Sequence, residues 1–337
     1  MKYLLFFIKA IIVLLFVTGA FFLGRNYKEN NIVEKIVQTA SPKPFLVYTI
    51  EHLSKTKYTP SPIALTERLF ENEDYVSYLF NHYFQPNPDS SETKNVSGQV
   101  NIPNSEGPFP IILMARGYVD QEIYETGVGT RNAAAYFAQN GYITVAPDFL
   151  GYGDSSEEAG NIFETRFQTY TTLLSVLASL ETIKEWDGKN IFFWAHSNGG
   201  QVVLTVLTIT SQNYPTTLWA PVTKPFPYSV LYYTDESADT GKYIREELAK
   251  FESLYDTDKY SFTNYLESIN APIQIHQGNA DDAVPVAWSD SIVNKLKNIN
   301  KDVVYFKYPG ADHNLRPAWD NVVRQDVEFF ASHIIDN

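Results

Sequence analysis

Cysteine is absent from all 337 residues, which excludes disulfides, thiolate metal sites and a cysteine-linked lipid anchor. It leaves the redox compartment open, because exported proteins also fold without disulfides. Basic residues are in short supply: 26 Lys and Arg stand against 39 Asp and Glu, for a formal charge of −13. No basic stripe offsets that charge, so binding to nucleic acid or anionic headgroups has no electrostatic driving force. Internal repeats at periods of roughly 20–50 residues are missing too, which argues against a propeller or solenoid. What is plentiful is apolar material: 44% hydrophobic and 15% aromatic residues are ample for one large core.

The longest apolar run stands at the N-terminus. Lys2 and Lys9 flank Tyr3–Ile8, and Ala10–Leu23 carries no charge. Tyr3–Gly24 is long enough to span a hydrocarbon core of about 30 Å at roughly 1.5 Å per residue, provided the Lys9 amine snorkels. Residues 1–24 therefore read as a transmembrane anchor or as a signal peptide cut near Thr18-Gly19-Ala20, the bulky Phe21-Phe22-Leu23 favouring the anchor. Either reading puts the bulk of the chain outside the cytoplasm, held at the membrane or secreted. Residues 25–44 form a polar linker ending in Pro. The remainder, 45–337, reads as one domain, with 45–95 supplying accessory strands such as Ile63–Phe70 and Tyr75–Phe84.

From Asn95 onward strand and helix patterns alternate, as in a mostly parallel sheet flanked by helices. Strands are expected at Val96–Ile102, Pro110–Ala115, Tyr142–Ala146, Asn190–Ala195, Thr217–Ala220, Ile273–His276 and Val303–Tyr308. Helices are expected at Ala133–Asn140, Phe163–Glu185, Gln201–Thr210, Trp288–Leu296 and Asn321–Ile335. The stretch between Pro221 and Ile269 is too long for one crossover, so residues 223–268 are expected to form a helical cap insertion.

Three segments carry chemistry: Trp194-Ala195-His196-Ser197-Asn198-Gly199-Gly200, Gly278-Asn279-Ala280-Asp281-Asp282-Ala283-Val284-Pro285 and Pro309-Gly310-Ala311-Asp312-His313. They supply a serine, a carboxylate and an imidazole, each after an apolar β-like run. The order Ser, Asp, His is the chain order of α/β-hydrolases, whereas other triad lineages use different orders. Ser197 lies between a strand and a helix with Ala195 and Gly199 two residues either side, where small neighbours let the turn be tight. Its bland alternative is a helix N-cap serine. His313, on the loop after a strand, is placed to act as general base. His52, His82, His276 and His333 read as packing residues, and His196, fixed beside the serine, reads as a neighbour pointing away from the hydroxyl. Asp281 and Asp282 compete to orient His313, and spacing does not choose between them. Asp312 and Asp148 read as turn or capping residues. The oxyanion hole is assigned to the backbone amides of Asn198 and Tyr118, Gly117 allowing the loop to turn its N–H inward. Arg116 reads either as a structural residue or as a contact to a substrate carboxylate, the structural role being favoured.

The chain resembles the prolyl oligopeptidase and acylaminoacyl-peptidase family over about residues 60–335. The stretch Gly141–Ser155, with its Pro147-Asp148 and Gly151-x-Gly153-x-Ser155, looks like an α/β-hydrolase strand and turn. Gly278–Pro285 is similar to that family's Gly-x-x-Asp-x-x-Val-Pro, whose Asp matches Asp281. The resemblance implies a triad of Ser197, Asp281 and His313, no cofactor, and hydrolysis of small ester or peptide substrates. It departs from the family in lacking a propeller, since the accessory segment is only about fifty residues and a propeller needs several blades of about forty each. The alternatives are a catalytically silent binding protein on the same scaffold and an acyltransferase.

Overall fold

The computed structural model describes residues 43–335. The chain divides into residues 1–44 and 45–337. The expected membrane segment and all but the last two residues of the expected linker lie outside the described residues. Among the described residues, no helix is long and apolar enough to cross a membrane.

Nine strands form one sheet: β1 (Ala64–Glu71), β2 (Tyr75–Phe84), β3 (Lys94–Pro103), β4 (Phe109–Ala115), β5 (Ile143–Pro147), β6 (Trp186–His196), β7 (Thr216–Trp219), β8 (Ile273–Gly278) and β9 (Val303–Tyr308). The spatial order is β1-β2-β3-β5-β4-β6-β7-β8-β9. The first three strands and the β3–β5 contact are antiparallel, and everything from β5 to β9 is parallel. This is the α/β-hydrolase arrangement, and the accessory residues 64–84 extend its antiparallel edge.

Strand alternation decides which face each side chain takes. On β4 and β6, Ile111, Leu113, Ala115, Phe193 and Ala195 belong to one apolar cluster, and Ile112, Met114, Phe192 and Trp194 to the other. Both faces are therefore covered, as parallel strands require. The first face carries helices α2 (Ile162–Ser179), α3 (Asn198–Thr210) and α5 (Val286–Asn298), the second α1 (Arg131–Gln139) and α6 (Trp319–Ser332). The helix expected over 163–185 stops at Ser179 and gives way to a tighter turn at Leu180–Thr182. At this end Ser179 Oγ donates to Ser175 O at 2.8 Å and Thr182 Oγ1 to Ser179 O at 2.8 Å, so side-chain hydroxyls take up carbonyls of the last turns.

Residues 223–268, between β7 and β8, contain α4 (Lys242–Leu254), a short helix at Tyr228–Leu231 and several single turns. Phe226, Phe251 and Tyr260 of this segment are packing groups. They meet Phe167 of α2 with ring centroids 5.8, 5.9 and 4.9 Å apart.

Register explains why chemistry collects at one end of the sheet. Ala115 is paired with Ala195, His196 with Trp219, Trp219 with His276, and Gly278 with Tyr308. The loops that follow β4, β6, β8 and β9 therefore emerge side by side at the carboxyl ends of the strands, where open α/β sheets bind their ligands.

Beneath that edge lies a buried polar cluster. Asp326 accepts from Trp219 Nε1 at 2.7 Å and faces His276 Nε2 at 3.0 Å, with both ionisable side chains fully buried. The other ring nitrogen of His276 is 2.7 Å from Tyr308 Oη. Gln274 Nε2 also reaches Asp326 Oδ1 at 3.4 Å, so truncation at Asp326 removes the shared acceptor of this buried cluster, and Asp326→Ala is expected to cost about 3–5 kcal/mol of stability, read as a lowered urea midpoint with an unchanged slope.

Candidate active site

Strand β6 runs directly into Ser197, whose φ of 55° and ψ of −121° fall outside the regions open to unstrained L-residues. The turn is pinned from both sides. Ser197 N donates to Trp219 O at 2.9 Å, and Ser197 O accepts from Gly200 N at 3.0 Å and Val222 N at 2.9 Å. Helix α3 begins at the next residue and sets its positive end behind the serine. Two glycines make the approach possible. A Cβ on Gly199 would lie 2.0 Å from Ala115 O, and one on Gly117 would lie 2.9 Å from Ser197 Cβ. The Gly117–Tyr118 loop thus crosses directly over the serine.

His313 stands on the loop after β9. Its Nδ1 lies 3.0 Å from each Asp281 oxygen. Asp281 Oδ1 also accepts from the Ala283 and Val284 amides at 3.0 and 2.8 Å, and Oδ2 from Gln277 Nε2 at 2.8 Å. Burial alone would raise the Asp281 carboxyl, but these hydrogen bonds, led by His313, outweigh it and hold the group below the usual carboxylate value. Asp282 is exposed and forms no described hydrogen bond, so the geometry joins His313 to Asp281. Asp312 accepts the Asn314 and Arg316 amides, both at 2.9 Å, as a turn residue.

His196 holds His313 from the other side. Its Nε2 is 3.0 Å from His313 O, and the two ring centroids are 4.6 Å apart. Burial pushes the His196 imidazole down to about 4, and the neighbouring His313 ring acts in the same direction. The neutral ring is thereby a fixed buttress one residue from Ser197. Among the described residues Ser197 Oγ makes no hydrogen bond to His313.

Tyr118 and Asn198 line one cleft of about 360 Å³ together with Arg116, Phe149, Arg166 and Val202. Neither backbone amide donates to another group among the described residues, which leaves both free for an oxyanion. Arg116 is a structural residue. Its guanidinium donates to Gly117 O and Asp148 O at 2.9 and 2.8 Å and lies 3.9 Å from the Tyr152 ring and 4.5 Å from the Tyr124 ring. Asp148 is equally committed, accepting from Ser97, Tyr124 and Thr126 hydroxyls at 2.6, 2.6 and 2.7 Å.

Sequence reasoning missed Gln277 and Arg166. Gln277 had a signal: it directly precedes Gly278 and, by strand alternation, faces away from buried His276. Arg166 had none, since its entry into the cleft depends on how α2 packs. Among the described residues, no cluster of three or more His, Asp or Glu side chains is placed to hold a metal ion.

A model described as the prolyl oligopeptidase family matches residues 129–336, more than half of the chain. The chain belongs to the prolyl oligopeptidase family. The matched region contains Ser197, Asp281 and His313 and begins after Tyr118. Acetyl esterase Axe7A of Xylanibacter ruminicola is 20% identical over 285 residues, covering 77% of this chain and 61% of that protein. The chain thus spans about three-fifths of that curated relative's length. Among solved structures, the acetyl xylan esterase of Paenibacillus sp. R4 aligns with a TM-score of 0.63 at 18% identity, covering 86% of this chain and 95% of the other. Acetyl xylan esterase 1 of Thermoanaerobacterium sp. JW/SL YS485 aligns with a TM-score of 0.59 at 16% identity, over 86% and 94%. These likenesses show a shared fold around this family member's strand-end cleft.

The His196 environment predicts an acid dependence. A histidine near 6.5 when unfolded and about 4 when folded binds more protons unfolded in between, so its stabilising contribution is complete above about pH 6.5 and declines as pH falls toward 4. Replacement by Phe, which has no such proton, is expected to flatten the stability slope across that window in urea melts at a pH series.

Proposed function

We propose that this chain is a serine hydrolase of small carboxylic esters or amides, with esters preferred. The observation that carries the reading is the His313–Asp281 pair beside Ser197 on its strained turn. Ser197 Oγ attacks the acyl carbon while His313 Nε2 takes its proton, and Asp281 keeps Nδ1–H directed at itself and stabilises the imidazolium. The Tyr118 and Asn198 amides receive the oxyanion of the tetrahedral intermediate. His313 then returns the proton to the leaving group, and water repeats the sequence to release the acyl-enzyme.

The preference for esters draws on the printed activities of the similar proteins, an acetyl esterase and two acetyl xylan esterases. The apolar run Tyr3–Gly24 supports a further proposal, that the hydrolase works outside the cytoplasm, tethered to the membrane.

The test is turnover of 4-nitrophenyl acyl esters and aminoacyl 4-nitroanilides by wild type, Ser197→Ala and Asp281→Asn. Ester turnover is expected, with kcat reduced about 10⁴-fold or more by Ser197→Ala and about 10³–10⁴-fold by Asp281→Asn, KM changing little. Equal residual turnover in all three folded proteins would sink the triad assignment, and anilide turnover matching ester turnover would move the reading to a peptidase.

A further inference from the structure

Arg166 of α2 reaches the same cleft as Tyr118 and Asn198, and it has no anionic partner. Among the described residues it forms no ion pair. Its guanidinium has one described side-chain hydrogen bond, Nη2 to Ser229 Oγ at 3.2 Å. The Nε–H is shielded from water and has no acceptor, while the Phe226 ring lies 5.9 Å from Cζ. Arginine at such depth is normally paired, because a shielded guanidinium proton without an acceptor forfeits its hydration. Arg116, the other cation of the cleft, also has a shielded Nε–H without an acceptor, but its terminal nitrogens reach two carbonyls and its plane lies against aromatic rings.

Two carboxylates also line the cleft, Asp120 and Glu158. Both are exposed, and Asp120 Oδ1 caps the Glu122 amide at 3.1 Å. Water and salt screen such surface charges, whereas a shielded group acts at lower dielectric. The deeper, less screened charge available to a ligand is therefore the Arg166 cation.

We propose that Arg166 anchors a carboxylate carried by the substrate, so that the cleft selects esters bearing a negative charge on the acyl or the alcohol side. Nε–H and the free Nη protons offer the forked donor pair that a carboxylate accepts. Ser229 and Phe226 belong to the 223–268 insertion, so the anchored anion also sits against that segment. This inference rests on the cleft being the substrate site of the proposed hydrolase.

Two matched pairs test it and separate the two sides. Acetate release from 4-acetoxybenzoate is compared with release from its methyl ester, and hydrolysis of 4-nitrophenyl hydrogen adipate with that of 4-nitrophenyl hexanoate. In wild type the charged member is expected to be favoured in one pair, which identifies the side. Arg166→Met lowers that charged-to-neutral ratio of kcat/KM about tenfold or more, mainly through KM, and Arg166→Lys recovers part of it. Thermal melts establish that the variants are folded, and Arg166→Gln replaces the Met variant if that one is not. Ratios unchanged by substitution in both pairs overturn the proposal. Calorimetric titration of adipate and 4-hydroxybenzoate into Ser197→Ala with and without Arg166→Met keeps the two readings apart. Should esters be turned over equally by wild type and Ser197→Ala, the hydrolase reading fails, and carboxylate binding weakened at least tenfold by the Arg166 substitution alone sustains the anchor. No carboxylate binding, or binding indifferent to Arg166, removes it.

Discussion

The junction of β6 with α3 is the constraint on which the remaining site depends. A parallel strand must deliver its chain into a helix that packs back on the same sheet, and here it does so without a spacer. The cost is a serine held at φ 55° and ψ −121°, in a conformation that L-residues avoid. What over-determines that conformation is the neighbouring backbone: Trp219 O takes the Ser197 amide, and Ser197 O takes the Val222 and Gly200 amides. The same closeness forces glycine at 199 and 117, where any Cβ would meet Ala115 O or Ser197 Cβ. The position of Ser197 at the strand end, the helix end behind it and the close passage of the Gly117–Tyr118 loop all follow from this one tight crossing.

Around the junction, ionisable groups are sorted by what they can afford to pair with. Asp281 gathers His313, two backbone amides and Gln277 and stays ionised despite its burial. His196 is pushed the other way, toward the neutral ring, because it meets a carbonyl and another imidazole instead of a carboxylate. Asp148 and Arg116, adjacent in space, are absorbed by hydroxyls, carbonyls and aromatic faces. Arg116 and Arg166 both keep an Nε–H without an acceptor, but Arg166 has only the Ser229 hydroxyl at its terminal nitrogens and no carbonyl, which leaves its outer donors open toward the cleft.

Much of the arrangement is legible in the linear chain because local rules reach far enough. Apolar alternation marks the strands, Gly-rich turns mark their ends, and Ser197, His313 and the Asp281–Asp282 pair each sit just past such an end. The limits are equally local. The apolar pattern runs on past Ser179 into Leu180 and Ile183, so periodicity did not register that α2 gives way there to a tighter turn. The aromatic insertion residues pack on Phe167, a contact between segments some sixty to ninety residues apart in sequence.

By itself the sequence determined the class of fold, the chain order of the candidate triad residues and the serine at a strand-to-helix turn, because these are set by periodicity and by motifs a few residues long. Spacing left Asp281 and Asp282 open and the family resemblance pointed to Asp281, but only the tertiary structure shows the contact, the β8 loop turning Asp281 toward His313 and leaving Asp282 exposed. It alone supplied the carbonyl and aromatic partners of Arg116 and brought Arg166 to the cleft. The physical reason is the same in each case: a side chain's role here is fixed by the partners that sheet register and helix packing place around it, and those partners come from distant parts of the chain.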